Sequence, residues 1–171
     1  MNGYLDRRFL IILFFSFAFL VGYLLVVSNQ TYVSASIQTA NETRQIIEME
    51  RSTVTAQEMF INNLMVSISL VVPLIGLVPF IIVWHNSATV IGLLSKAYAV
   101  PPAAYIANLV VLAFPEILAY TILMAENIYV AGLALFRAGA KQRLVAHSWK
   151  SLILYFFLLW IGAITEVMYI A

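Results

Sequence analysis

Between Ala103 and Phe136 the chain runs through apolar residues almost without interruption, yet it carries Pro115, Glu116, Glu126 and Asn127 well inside the stretch. A carboxyl at the centre of a bilayer helix costs about 2.5–3.5 kcal/mol on insertion scales, so it faces a partner or a wet cavity instead of lipid. The stretch is also too long for one pass. As a single helix its roughly 34 residues would reach about 50 Å against a hydrocarbon core of about 30 Å, which predicts a break near Pro115 or an extension beyond the membrane. Other helices must surround these groups. With 63% hydrophobic and 10% charged residues, the chain has the material to supply them. The mean hydropathy of +0.96 excludes an ordinary water-soluble domain. The reading is an all-α polytopic membrane bundle forming a single domain over residues 1–171.

About five membrane segments are expected, at 9–28, 61–84, 87–100, 104–136 and 150–170. The first, preceded by Arg7-Arg8, is too long for the apolar core of a cleaved signal peptide and reads as a retained anchor. Residues 29–59 hold half of the acidic side chains and read as an external helix or linker. Asn41-Glu42-Thr43 within them is a candidate glycosylation acceptor at Asn41. Pro73, Gly76 and Pro79 are expected to kink the second segment, and His85-Asn86 to form the inner turn after it. The third segment, 87–100, is short for a span and reads as tilted or re-entrant. The basic loop 137–149 follows the fourth, with Arg137, Lys141, Arg143 and His147. This loop and the Arg7-Arg8 pair both belong in the cytoplasm by the positive-inside rule. The N-terminus is then cytoplasmic and the C-terminus external, which suits a multi-pass protein of the plasma membrane.

These depths bring Asn62, Asn63, Lys96, Glu116 and Glu166 toward the outer end as an intramembrane polar core, with Glu126 on the inner side. Lys96 is the only basic residue between Arg51 and Arg137, so it is expected to pair with Glu116. No metal site is expected, because His85 and His147 are the only histidines and there is no cysteine. The chain has no recognisable nucleophile and base, no phosphate loop and no zinc motif. No cofactor, catalytic residue or enzymatic activity is therefore expected. A net charge of +1 gives no reason to expect nucleic acid. Ser16, Gly22, Ser67, Ser69, Gly132 and Gly162 on apolar helices permit close helix contacts, within the chain or in a homo-oligomer.

Several of these residues together resemble the stage II sporulation protein M family of integral membrane proteins, archaeal-type members in particular. They are Phe60 with Asn62-Asn63, Asn86 followed by Gly92, the run Glu116-Ile117-Leu118-Ala119-Tyr120, and Glu166 in the last helix. The chain departs from the family where members carry Pro-His-Gly shortly before the first glutamate, since Val111-Leu112-Ala113 stands there. The resemblance implies a non-enzymatic scaffold or assembly factor that gathers other membrane or envelope proteins. The alternative is a transporter subunit, a permease half working with a separate ATPase, which interrupted helices and buried charges favour.

Overall fold

The computed structural model describes residues 5–136 and 139–170, with the side chains of 169 and 170 excepted, so Arg137 of the basic cluster lies outside them. Among the described residues all regular structure is helical. Helix α1 spans Arg7–Ser34, and its N-cap Asp6 accepts from the Phe9 N–H at 2.8 Å. Helix α2, Ile37–Arg51, is capped by Ser36, and α3, Ala56–Ser67, begins on a capping box between Thr55 and Glu58. These caps satisfy amides that a helix start leaves without partners. A 3₁₀ turn over Ile68–Val71 extends α3. Then come α4 (Leu77–Ala97), α5 (Pro102–Leu112) and α6 (Phe114–Leu135). A short α7, Ala140–Arg143, passes through a π-helical turn, Leu144–Ser148, into α8, Trp149–Ile170.

Four helical stretches are long and apolar enough to cross a membrane: Arg7–Ser34, Leu77–Ala97, Phe114–Leu135 and Ala140–Met168. Their contacts fix relative direction. Trp84 Nε1 donates to the Leu20 carbonyl and Lys96 Nζ to the Tyr32 carbonyl, so α1 and α4 run parallel. Gly92 permits their close approach, because a Cβ there would lie 2.6 Å from the Ser28 carbonyl oxygen. Helix α6 runs opposite to α1, with Phe17 against Phe114 and Phe9 against Tyr129. It also runs opposite to α8, which places Gly162 beside Glu116 and Ser151 beside Glu126. Helix α3 opposes α8 through Phe60–Trp160 and Ser67–Tyr155. Helix α6 is the hub, with 67% of its most apolar window buried against 22–33% in the other three. Elsewhere the apolar side chains face outward, as Phe14, Phe15, Val78 and Phe157 do, which suits contact with lipid.

Two expected segments need correction. The reversal between 61–84 and 87–100 falls at 72–76, before α4, and His85-Asn86 lie inside α4 instead of in a turn. Residues 87–100 are neither short nor re-entrant, since most of them form the second half of a 21-residue helix. The prolines mark a break in the chain and do not merely kink one helix. Leu74 adopts φ 65°, and a Cβ on Gly76 would lie 1.7 Å from the Ser69 carbonyl oxygen, so only glycine fits there. The stretch 104–136 divides at Ala113, with Pro115 in the first turn of α6, where its missing N–H is harmless.

Candidate functional site

Among the residues that line one cavity of about 690 Å³ are six polar ones from four helices: Asn62 and Asn63 of α3, Asn86 of α4, Glu116 and Tyr120 of α6, and Glu166 of α8. All six belong to the stretches on which the sequence resemblance rests. Leu20, which receives the Trp84 indole, lies midway along α1, and Trp84 packs on Tyr120 with ring centroids 5.7 Å apart. The floor of the cavity is therefore near mid-height of the bundle. Its mouth is at the other end, under α2, where Glu50 and Arg51 contribute to the lining.

Each side chain is held by local structure. Glu116 stands in the first turn of α6, a favourable place for an acidic group beside unpaired helix amides. Tyr120, one turn on, donates its hydroxyl to Glu116 Oε1 at 2.6 Å. Gly162 lets α8 approach, as a Cβ there would meet the Glu116 Cβ at 3.1 Å. Glu166 lies one turn further along α8, with Oε1 3.7 Å from Arg51 Nη2. Asn63 is 6% exposed, and its Nδ2 has no hydrogen-bond partner among the described residues.

Lys96 does not join this group, which corrects the expected pair with Glu116. Its ammonium donates to the carbonyls of Tyr32 at 2.9 Å and Ala35 at 2.5 Å. It thereby caps the C-terminal end of α1, where carbonyls lack helical partners and the dipole favours a cation. His85, expected in a turn, shares a 3.0 Å hydrogen bond between Nδ1 and the Tyr23 hydroxyl. Asn41 sits in the second turn of α2, half-buried. No three His, Asp or Glu side chains among the described residues are grouped as a metal site requires.

Glu126 stands apart, below the cavity, in a cluster only partly visible in the sequence. Arg143 Nε donates to its Oε1 at 2.9 Å and Arg143 Nη2 to its Oε2 at 2.7 Å. Ser148 adds a bond to Oε1 at 2.6 Å and Ser151 one to Oε2 at 2.8 Å, so each oxygen accepts twice. Glu126 and Arg143 are both 5% exposed. The guanidinium lies 4.8 Å from the ring centres of Phe9 and Tyr129. Arg143 was expected in a solvated cytoplasmic loop, but the π-helical turn folds it back into the bundle. Arg143, Ser148 and Ser151 are thus site residues that the sequence reading missed. The available signal was the need of Glu126 for a cation, with a serine pair at helical spacing just beyond Arg143.

Two further contacts close the same end. The Tyr129 hydroxyl donates to Asp6 Oδ2 at 2.5 Å. Partial burial pushes the Asp6 carboxyl up, but the bonds from Tyr129 and the Phe9 amide, with the Arg143 charge, bring it below the ordinary carboxylate range. Asn127 holds the chain reversal: its Nδ2 donates to the carbonyls of Leu70 (2.6 Å) and Val72 (2.8 Å), and its Oδ1 accepts from the Leu74 N–H at 3.0 Å. No family model, curated protein or solved structure matches the chain.

Proposed function

We propose that this membrane protein is a non-enzymatic solute-binding subunit of a transport system, caught with its cavity open to the outer face. The observation that carries the reading is the charge of the cavity, where Glu50, Glu58, Glu116 and Glu166 meet the single guanidinium of Arg51. A low-dielectric cleft lined by one sign of charge concentrates ions of the other sign. Below it, the Glu126–Arg143 cluster, the Asn127 staple and the Asp6–Tyr129 bond act as a closed inner gate. Alternating access would open the lower seal as the upper end closes.

In this reading Arg7, Arg8 and the 137–149 loop face the cytoplasm. Helix α3 with its 3₁₀ extension then makes a fifth pass from the outer face inward. Twelve α-helical and four 3₁₀ residues rise about 26 Å, which reaches across most of a hydrocarbon core. The C-terminus of α8 is external.

The natural lack of cysteine provides the test. Ser87→Cys in the cavity wall should react with an impermeant thiol reagent added to intact cells, as should Gln45→Cys on the exposed face of α2. Gln142→Cys should react only after permeabilisation, and Ile82→Cys, on the lipid-facing side of α4, should resist both treatments. Absence of outside labelling at Ser87→Cys, with Gln45→Cys labelled, would refute the open cavity. A second reading, a scaffold for other membrane or envelope proteins or for a second copy of this chain, is favoured by α2. That helix exposes Ile37, Ile46 and Met49 on an otherwise polar segment. Cross-linking from Met49→Cys to a neighbouring protein in native membranes would support that reading.

A further inference from the structure

Resting on the solute-binding reading, we infer that the cavity takes a small organic cation: an amine on an apolar body, with an acceptor oxygen near the nitrogen. Size argues first. A space of about 690 Å³ falls within the range of sites for drug-sized ligands, and it would hold many waters around a bare inorganic ion. The walls are unsuited to a hydrated ion, because Leu24, Ile91, Leu94, Leu109 and Ile117 offer no hydrogen bonds. They suit a hydrocarbon or aromatic body. Trp84, Tyr105 and Tyr120 add aromatic rings to the lining, groups of the kind that attract ammonium ions.

Charge argues second. Glu116 is the deepest carboxyl of the cavity and receives only the Tyr120 hydroxyl, while the base assigned to it by the sequence, Lys96, is committed to α1 carbonyls. A ligand ammonium can fill the role left open, with Glu166 one turn above it. The third observation is Asn63, a buried amide whose Nδ2 has no acceptor. A buried donor left unmade is unfavourable, and a turn of the amide toward the cavity it lines would let a hydroxyl or carbonyl oxygen on the ligand satisfy it. A donor there also distinguishes this site from a purely acidic cleft, which would offer only acceptors.

Calorimetric titration of the intact protein in lipid nanodiscs with matched probes tests the assignment. Phenylbutylamine, phenylbutanol and phenylbutanoate share one body and differ in charge. The amine should bind at least about tenfold more tightly than the other two, and Glu116→Gln or Glu166→Gln should remove that preference. Glutamine can still accept from Tyr120, and Glu166→Gln stands as a second variant if Glu116→Gln fails to fold. The β-hydroxy analogue of the amine should bind more tightly than the amine itself, and Asn63→Leu should erase the gain. Equal binding of all three probes, or amine binding that neither glutamate change affects, overturns the cationic ligand. A hydroxyl gain that is absent, or that survives Asn63→Leu, overturns the acceptor. If none of the probes binds while Ser87→Cys labels from outside, the ligand class falls and the open cavity stands. If Ser87→Cys also fails to label, both fall together.

Discussion

Replacing Asn127 with leucine should separate a structural staple from a space-filling side chain. The amide makes three hydrogen bonds to the 70–74 segment, two from Nδ2 to carbonyls and one to Oδ1 from the Leu74 amide. Leucine is close in volume and keeps none of them. Interhelical bonds in membrane proteins average about 0.6 kcal/mol, so three ordinary ones would total about 2 kcal/mol. These partners are not ordinary side chains, however. They are backbone groups at a helix break where water is scarce, and although the Val72 carbonyl also accepts from the Gly76 N–H at 3.0 Å, the Leu70 carbonyl and the Leu74 N–H rely on Asn127. Stranding these two groups costs about 1–3 kcal/mol each, which puts Asn127→Leu at about 2–6 kcal/mol. Asn127→Asp keeps the acceptor for Leu74 but sets a carboxyl against two carbonyls, so it should fall between wild type and leucine only when protonated. Unfolding by graded denaturing detergent, followed by tryptophan fluorescence at two pH values, measures both variants. A loss below about 1 kcal/mol for Asn127→Leu would show that the reversal is held by packing and that the hydrogen-bond argument is wrong.

Glu126→Gln should cost about 3–5 kcal/mol because it leaves the Arg143 guanidinium buried without its carboxylate, whereas Glu126→Leu with Arg143→Met should recover much of the loss in a double-mutant cycle. Glu116→Gln and Lys96→Met should be additive in thermal unfolding, since Lys96 is satisfied by Tyr32 and Ala35, and a coupling above about 0.5 kcal/mol would restore the pair expected from sequence. The folded Asp6 carboxyl titrates below its unfolded value, so its contribution is complete above about pH 4 and is lost as pH falls through the lowered value. Asp6→Asn should therefore flatten the acid limb of the stability profile, and an unchanged acid limb would count against that bond.

The convergence of Asn62, Asn63, Glu116 and Glu166 was legible in sequence because buried polar groups in apolar helices have few places to go. The position of the second chain reversal was not. Val72-Pro73-Leu74-Ile75-Gly76 is as apolar as the helices it joins, so hydropathy does not dip there, and Asn127 satisfies the exposed backbone from a distant element. His85-Asn86 gave the opposite error: they are polar because one meets Tyr23 and the other lines the cavity. Lys96 misled for a related reason. Pairing charges with charges ignores helix ends, and a helix C-terminus is an acceptor that no residue letter announces. Arg143 was hidden by the convention that bases beside a span stay in the cytoplasm, which governs insertion and not final packing.

The parallel course of α1 and α4 bears on how the protein is made. Parallel neighbours cannot be joined by a tight turn, and Leu20 meets Trp84 across 64 positions of sequence. At about 5–20 residues per second the ribosome needs about 3–13 seconds to supply the partner of α1. Through that interval the first helix must reside in lipid with its last carbonyls uncapped and the groove at Ser28 empty. Lys96, near the end of the arriving helix, can reach Tyr32 and Ala35 only after Gly92 has seated against Ser28, so the ammonium closes the pair last. A stall placed before residue 97 should leave α1 open to cross-linking by lipid-borne reagents, and release of the stall should abolish that reactivity.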